Sequence, residues 1–357
     1  MALADLLNFA GKGKGILGLD IGSSSIKIAE LNVSKKATML NAFGMIPTPP
    51  QATTGGDIID AGLISETVRH LLDEINSKRK HVATGLWGAS VIVKRITIPR
   101  MEESLIAEQI RWEAEQYIPY DINEVNLDHK VLALASAEGD NMDILLIAAV
   151  QEMIFNCAEL VNATGLTCSV LDIEGFALAN CFESNYGVLP GELVGLLNVG
   201  ASVTNFVVLE QGEVVFCRDI PIGGLLYTNE LAKSLGMSMT EAEGVKLAIG
   251  EGQPVPEEAG NIIQSSHAMI IEEISNSIEF FHNTSNGNML SRLFLTGGGS
   301  KTIGFYQALA EILPCEQFNP FISIQANTNL FSLDYLEQVR DFAGIAIGLG
   351  LREVGDS

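Results

Sequence analysis

From Ile16 to Leu31 the apolar positions follow two different rules. Ile16–Ile21 is nearly continuous, interrupted by Asp20; Gly22 and three serines (Ser23, Ser24, Ser25) follow, and from Ile26 apolar residues alternate with polar ones. A buried strand, a polar turn and an alternating strand predict a β-hairpin whose tip offers backbone N–H and hydroxyl donors. The same grammar returns from Val194 to Leu209, with Asn198 standing where Asp20 stood. Two such hairpins predict two related halves facing one ligand.

Between them the pattern predicts a strand over Lys36–Met45, a turn-rich connection from Pro47 to Gly56, and an amphipathic helix over Ile64–Ile75. The basic run Lys78, Arg79, Lys80 predicts a solvated loop. A compact insert follows, with a strand Ser90–Ile98 stopped by Pro99, a helix Glu102–Tyr117, and strands Asn126–Ala135 and Met142–Val150. Helix Gln151–Ala163, strand Thr167–Ile173 and helix Glu174–Phe182 return to the style of the first lobe, and Asn185–Glu192 reads as a linker. Beyond the second hairpin come a strand Val214–Ile220, Pro221–Gly224 opening a helical region, and helices Met239–Ile249 and Ala259–Asn283. A strand Leu290–Thr296 then runs into Gly297–Gly298–Gly299–Ser300 and a helix Thr302–Ile312. At the start, Leu3, Leu6, Leu7 and Ala10 share one helical stripe ahead of a Gly/Lys run ending at Gly15, which predicts a frayed end and a hinge.

The length of 357 residues exceeds what one core usually supports, so two lobes are expected. A net charge of −23 repels phosphate backbones and argues against nucleic acid or a bare anionic membrane as a direct partner. Five scattered cysteines, without any Cys-x-x-Cys, predict buried free thiols in a reducing compartment, and the histidines are too dispersed for a zinc site. Met1–Phe9 lacks the apolar core of a signal peptide, which places the chain in the cytoplasm.

A glycine-rich turn between a strand and a helix carrying Ser300 puts unpaired N–H donors where a phosphate or the polar edge of a nucleoside docks. Walker and Rossmann fingerprints are both missing, since Gly11–Gly15 precedes a strand instead of following one. The nucleotide site is therefore of another kind.

Leu17–Lys27, Leu197–Thr204 and Leu295–Ser300 resemble, in that order, the phosphate-1, phosphate-2 and adenosine motifs of the actin, Hsp70 and sugar-kinase superfamily. Glu241–Lys246 resembles the helix whose Glu and Lys flank ribose and adenine. Ile173–Leu178 resembles the first connecting segment, and Phe342–Leu351, with Gly344, Gly348 and Gly350, the second. Two families of this group, FtsA and PilM, carry a strand, helix and two strands inserted in the first lobe. Gly18–Lys27, Glu108–Pro119 and Pro221–Gly224 are most similar to the PilM family of type IV pilus assembly proteins. FtsA ends in an amphipathic membrane-targeting helix, which Arg352–Ser357 cannot form.

The resemblance implies an α/β, actin-like two-lobed ATPase fold with an FtsA/PilM-type inserted subdomain. Its parts would be 15–83, 151–190 and 337–357 in the first lobe, 84–150 as the insert, and 191–225, 226–289 and 290–336 in the second. ATP and Mg²⁺ would bind between the lobes. Asp20 would hold the metal through water, Gly22, Ser23, Ser24, Ser25 and Lys27 would wrap the phosphates, and Gly200, Ala201, Ser202 and Thr204 would close the other side. Gly223, Glu243, Lys246, Gly297, Gly298, Gly299 and Ser300 would complete the cofactor site. Glu174 is the candidate catalytic acid and Asn198 stands at the other catalytic position. An amide cannot accept a proton as a carboxylate does, so hydrolysis is expected to be slow or absent.

By the same resemblance the protein is a cytoplasmic adaptor that docks the N-terminal peptide of PilN and reaches the inner membrane only through that partner. Pilus motor ATPases, other assembly-platform proteins and a homodimer or higher oligomer are further partners it implies. The insert helix presents Leu105, Ile106, Gln109, Ile110 and Trp112, most of which read as the insert's own core, and the PilN peptide would bind in the groove left where the insert leans on the first lobe. The alternative is an FtsA-like polymerising scaffold. A sugar kinase would need sugar-binding loops, and an Hsp70 chaperone a separate substrate domain, neither of which is visible.

Overall fold

The computed structural model describes residues 15–133, 140–285 and 287–356. The apolar stripe at Leu3–Ala10 and the end of the strand expected to reach Ala135 lie outside the described residues.

The first part of the chain forms β1 (Leu17–Ile21), β2 (Ser25–Val33), β3 (Thr38–Pro47), the short hairpin β4 (Thr53–Thr54) and β5 (Asp57–Ile58), α1 (Ala61–Glu74) and β6 (His81–Leu86). The insert supplies β7 (Val91–Pro99), α2 (Glu103–Tyr117), β8 (Val125–Val131) and β9 (Asn141–Val150), after which α3 (Gln151–Ala163), β10 (Thr167–Ile173) and α4 (Glu174–Tyr186) follow. Next come β11 (Leu193–Val199), β12 (Thr204–Glu210), β13 (Glu213–Ile220), α5 (Leu225–Leu235), α6 (Met239–Gly250) and α7 (Glu257–Thr284). The chain closes with β14 (Arg292–Thr296), α8 (Phe305–Ala310), β15 (Cys315–Gln317), β16 (Gln325–Ala326), α9 (Leu333–Val339) and α10 (Gly344–Gly350).

Two sheets share one plan. The first runs β10-β6-β1-β2-β3-β16 and the second β13-β12-β11-β14-β15. In each, an antiparallel hairpin continues as a meander on one side and pairs with parallel strands on the other. The likeness extends to an irregularity of register: β2 slips against β3 between Glu30 and Leu31, and β12 slips against β13 between Val208 and Leu209. Glu30 lies as far beyond Lys27 as Val208 lies beyond Asn205. A bulge sharpens strand twist, so the two hairpins curl alike.

α4 and α10 lie between the lobes, and α10 approaches β1 so closely that only glycines fit. A β-carbon on Gly18 would stand 1.9 Å from Ala346 O, and one on Gly348 would stand 1.7 Å from Ala177 O. Phe182, Tyr186, Phe294 and Phe318 stack there, with centroids 4.7–6.2 Å apart, and join the lobes in one apolar core.

The insert sheet runs β7-β9-β8 and is fully antiparallel. One face is covered by α2, whose Ile106, Ile110 and Ala114 pack on Ile96, Ile98, Ile144 and Leu146. The opposite face gives Leu132 and Leu145 to the core of the second lobe, and Lys130 meets Glu213 at 2.7 Å. The boundary expected at residue 84 falls inside β6, which pairs with β1 and β10; the change of sheet occurs across Trp87–Ser90.

The basic run is not simply solvated. Arg79 donates to Ile16 O at 2.9 Å and pairs with Glu30 at 3.4 Å, pinning the start of β1. All five cysteines are free, with Cys181 and Cys217 buried and Cys157, Cys168 and Cys315 half-buried. No helix among the described residues is long and apolar enough to cross a membrane.

Candidate nucleotide site

The first hairpin closes through a hydrogen bond from Gly22 N–H to Ser25 O at 3.1 Å, and the second through the equivalent bond from Gly200 N–H to Val203 O at 3.0 Å. Each tip is braced from behind by its carbonyls. Thr48 Oγ1 donates to Gly22 O at 2.6 Å, Thr53 Oγ1 to Ser23 O at 3.4 Å, and Thr48 N–H to Ser24 O at 3.0 Å. In a trans peptide the N–H of the following residue points away from the carbonyl. Engaging these carbonyls on one side therefore turns the N–H groups of Ser23 and Ser24 to the other, where neither donates to a described residue.

The second tip is built the same way with different braces. Gly224 N–H donates to Gly200 O at 2.8 Å and Leu225 N–H to Ala201 O at 2.7 Å, so the start of α5 holds the hairpin. The N–H groups of Ala201 and Ser202 then face away from α5. Gly223 is required by this approach, because a β-carbon there would stand 2.5 Å from Gly200 O. Ser202 Oγ is buried without a hydrogen-bond partner, the kind of orphan that calls for an occupant. Thr204 Oγ1 is spent within the protein, donating to Ile222 O at 2.7 Å.

The β4–β5 hairpin bridges the two tips. Its base meets Ser23 through Thr53, and its turn brings Gly56 to Ser202, a β-carbon on Gly56 standing 3.5 Å from Ser202 Cβ. The Pro47–Gly56 stretch, expected to be only a connection, is thus part of the site. Thr48 and Thr53 carried no signal beyond turn-forming composition.

Across the hairpins the paired positions carry different chemistry. Asp20 and Lys27 are register partners, with Nζ 3.1 Å from Oδ2 and both side chains largely buried. Their counterparts Asn198 and Asn205 are joined by an amide hydrogen bond of 2.7 Å. Asn205, not anticipated from sequence, also donates to Glu174 at 3.2 Å and to Asp219 at 2.8 Å. Glu174 opens α4, and burial, with Asp20 and Asp219 nearby, pushes its carboxyl well above the ordinary 4.5, against the opposing pull of Asn205 and Lys27. Burial also raises Asp219, although Asn205 and Gly88 donate to it.

The third side is the turn after β14. Gly297 has φ +95° and lies against Val199, where a β-carbon would stand 2.3 Å from the carbonyl oxygen. A 3₁₀ turn over Gly298–Lys301 takes the place of the expected helix start, and α8 begins only at Phe305. Ser300 Oγ donates back to Gly297 O at 2.6 Å, and Gly299 lies 3.1 Å from where a β-carbon of Gly224 would stand. Beside Gly224, Lys246 Nζ lies 2.7 Å from Glu243 and donates to Thr228 at 3.1 Å, while Thr228 donates to Glu243 at 2.5 Å. The fold therefore groups the predicted residues around both hairpin tips and the glycine turn. A separate cleft of about 550 Å³, lined by Ile249, Ile263, His267, Ile271 and Ile303, opens beyond that turn.

Residues 18–354, which include both hairpins, the glycine turn and the inserted sheet, match the family described as type IV pilus assembly protein PilM. The chain belongs to the PilM family. The solved PilM-PilN type IV pilus biogenesis complex contains a chain 29% identical, with a TM-score of 0.85 over 96% of this chain and 99% of that one. The ethanolamine utilization protein EutJ of Carboxydothermus hydrogenoformans shares the fold at a TM-score of 0.53 and 15% identity, over 94% of this chain and 89% of that one. The cell division protein FtsA of Bacillus subtilis (strain 168) is 22% identical over 351 residues, 83% of this chain and 76% of that protein. The PilM family fold is thus the actin-like ATPase fold with its insert in the first lobe.

Proposed function

We propose that this PilM-family chain is a cytoplasmic adaptor of the type IV pilus assembly platform that binds the N-terminal segment of PilN and holds Mg·ATP between its lobes. Its likeness to a chain solved in complex with PilN supports the partner. The observation that carries the ligand is the pair of opposed hairpin tips whose N–H groups are turned outward, with Ser202 Oγ buried and unpartnered between them. These donors fit a polyphosphate, and they are neutral, so the acidic surface of the chain does not prevent local binding.

Ser23, Ser24, Ala201 and Ser202 would hold the phosphates through main-chain and hydroxyl donors, with Lys27 supplying the cation. Asp20, already buried beside Lys27, would hold magnesium through water, and Glu243 and Lys246 would flank the nucleoside. When bound, Mg·ATP supplies a divalent cation and a polyanion that tie the two hairpins together. Burial with Asp20 and Asp219 nearby raises the Glu174 carboxyl and Asn205 occupies one of its oxygens, while Asn198 spends its donor on Asn205 and, as an amide, cannot take a proton from water as a carboxylate does. The nucleotide thus acts as a structural or switching ligand.

Among the described residues no group of three or more His, Cys, Asp and Glu is placed to hold a metal by itself. Titrating a synthetic PilN N-terminal peptide into the full-length protein, with and without Mg·ATP, tests the adaptor reading. Saturable binding is expected. No binding, together with ATP-dependent light scattering, would favour a polymerising scaffold.

A further inference from the structure

Trp87 and Gly88 are the root from which the insert leaves the first lobe, since β6 ends at Leu86 and β7 begins at Val91. Each is tied to a different part of the site. Trp87 Nε1–H donates to Gly56 O at 3.3 Å, and Gly56 lies against Ser202 at the second hairpin tip. Gly88 N–H donates to Asp219 Oδ2 at 2.6 Å. The other oxygen of Asp219 accepts from Asn205, which binds Glu174 with the same amide group and accepts from Asn198.

The bonds to Asp219 run unbroken from Asn198, on the second hairpin, to the main chain of the insert's root. The two bonds that reach the Asp219 carboxylate, from Asn205 and Gly88, are charge-assisted and largely shielded from water, so neither is exchanged freely for solvent. Gly88 has φ +83°, a conformation that few other residues accept, and the short bond to Asp219 fixes it. The β7 strand that follows lies against β13, the strand that carries Asp219. A shift of the second hairpin is therefore passed to the insert at two adjacent residues.

We propose that Asp219 is a positioning residue that couples the nucleotide site to the insert, so that a ligand between the hairpins and a partner on the insert favour the same setting of the Trp87–Gly88 root. This rests on the adaptor reading for its two ligands. Coupling between sites is reciprocal, so each ligand must tighten the other by the same factor. The carboxylate is needed because it accepts from two donors at once; an amide in its place offers one acceptor oxygen and must release either Asn205 or Gly88.

The test is the Kd of Mg·ATP for the full-length protein, by calorimetry, without and with saturating PilN N-terminal peptide. The native protein is expected to show a ratio of at least about fivefold, within the usual range of allosteric coupling. Asp219→Asn is expected to bring it within about twofold of unity, and Trp87→Phe, which keeps the ring and loses the donor, to give an intermediate value. A ratio of one in the native protein with both ligands bound, or an undiminished ratio in Asp219→Asn, overturns the coupling. Should either ligand fail to bind, the adaptor reading fails, and hydrogen exchange on the ligand-free protein decides the relay. Faster exchange in Asp219→Asn at both 86–91 and 198–205 supports it; faster exchange at 86–91 alone overturns it.

Discussion

Asp20 and Asn198 hold the same place in two hairpins of the same construction, yet Asp20 faces a lysine across its hairpin and Asn198 faces an amide. The first hairpin carries a buried ion pair, with Lys27 Nζ 3.1 Å from Asp20. The second carries a neutral pair that leaves Asn205 free to hold two acids. The first hairpin thus holds its acid beside a cation, whereas the acids that meet the second hairpin are held by an amide. That asymmetry governs how the site responds to substitution.

Mg·ATP is expected to stabilise the protein by ordinary linkage, by about 2.7 kcal/mol at a hundredfold excess over Kd. In Asp20→Asn the magnesium-dependent part of the rise in melting temperature should vanish. The asparagine keeps the shape while removing the charge, and it also strands Lys27, at about 3–5 kcal/mol for a buried pair broken on one side, so the metal is read only from the difference between melting with and without magnesium. An undiminished rise would remove Asp20 from the metal's surroundings.

Hydrolysis should stay below about 1 per second, at the slow edge of enzyme turnover. Asn198→Asp supplies a carboxylate at the place Asp20 holds in the first hairpin, and it removes the donor from which Asn205 Oδ1 now accepts. Turnover should rise while stability falls by about 1–3 kcal/mol. Phosphate release and thermal unfolding measure the two effects; faster native turnover would contradict this reading of Asn198.

The pH dependence of stability has a definite sign. Glu174 is raised well above 4.5 by burial and by Asp20 and Asp219, so the folded state binds a proton more readily than the unfolded one. Its contribution is fully present below the unfolded value and is lost as pH rises through the folded value. Glu174→Gln keeps an acceptor for Asn205 and abolishes the titration. Its melting temperature should exceed that of the native protein at pH 8, and the difference should shrink steadily toward pH 5. A constant difference would mean that Glu174 does not titrate in this window.

Much of this architecture was legible from residue order alone. The two hairpins, the glycine turn and the insert announce themselves through local patterns of period two or of glycine and serine, and each is closed by contacts within a few residues. The short elements β15, β16 and α9 were not, because three, two and seven residues carry too little period to read. Asn205 and Asp219 were missed for a different reason: each sits at a strand position that fits the alternation as well as any polar residue. Only the meeting of α4, β12 and β13 makes them partners of Glu174. Gly88 became informative only when its N–H was seen to meet Asp219 from the far side of the insert's root.

Two glycines should respond oppositely to alanine. At Gly348 a β-carbon would stand 1.7 Å from Ala177 O, backbone that cannot step aside, so Gly348→Ala should cost at least the 1–3 kcal/mol or so of an overpacked core. At Gly244, inside α6, nothing lies within 4 Å of the added carbon. Gly244→Ala should stabilise by about 0.4–1 kcal/mol. Chemical denaturation of the two variants measures both; equal effects would refute the close crossing of α4 and α10.

The PilN segment should dock on the root side of the insert. Ile106 and Ile110, each 2% exposed, belong to the insert's own core and offer nothing to a partner, as expected for most of the apolar residues of this helix. Leu105 and Trp112, 52% and 66% exposed, share the outward face of α2 with Glu108 between them. The C-terminal end of α2 lies toward the insert's root: Tyr120 hydroxyl donates to Ala89 O at 3.2 Å, and Lys94 lies over the Tyr117 ring at 4.2 Å. Tyr117 and Tyr120, each partly exposed there, suit an extended apolar peptide, since rings of this kind dominate binding energy at interfaces. Tyr120→Ala should weaken peptide binding at least about tenfold, or about 1.4 kcal/mol, with Trp112→Ala within about twofold of the native affinity. Fluorescence anisotropy of a labelled PilN N-terminal peptide measures both. The reverse order of effects would move the partner to the outward face of α2 and free the root from direct contact.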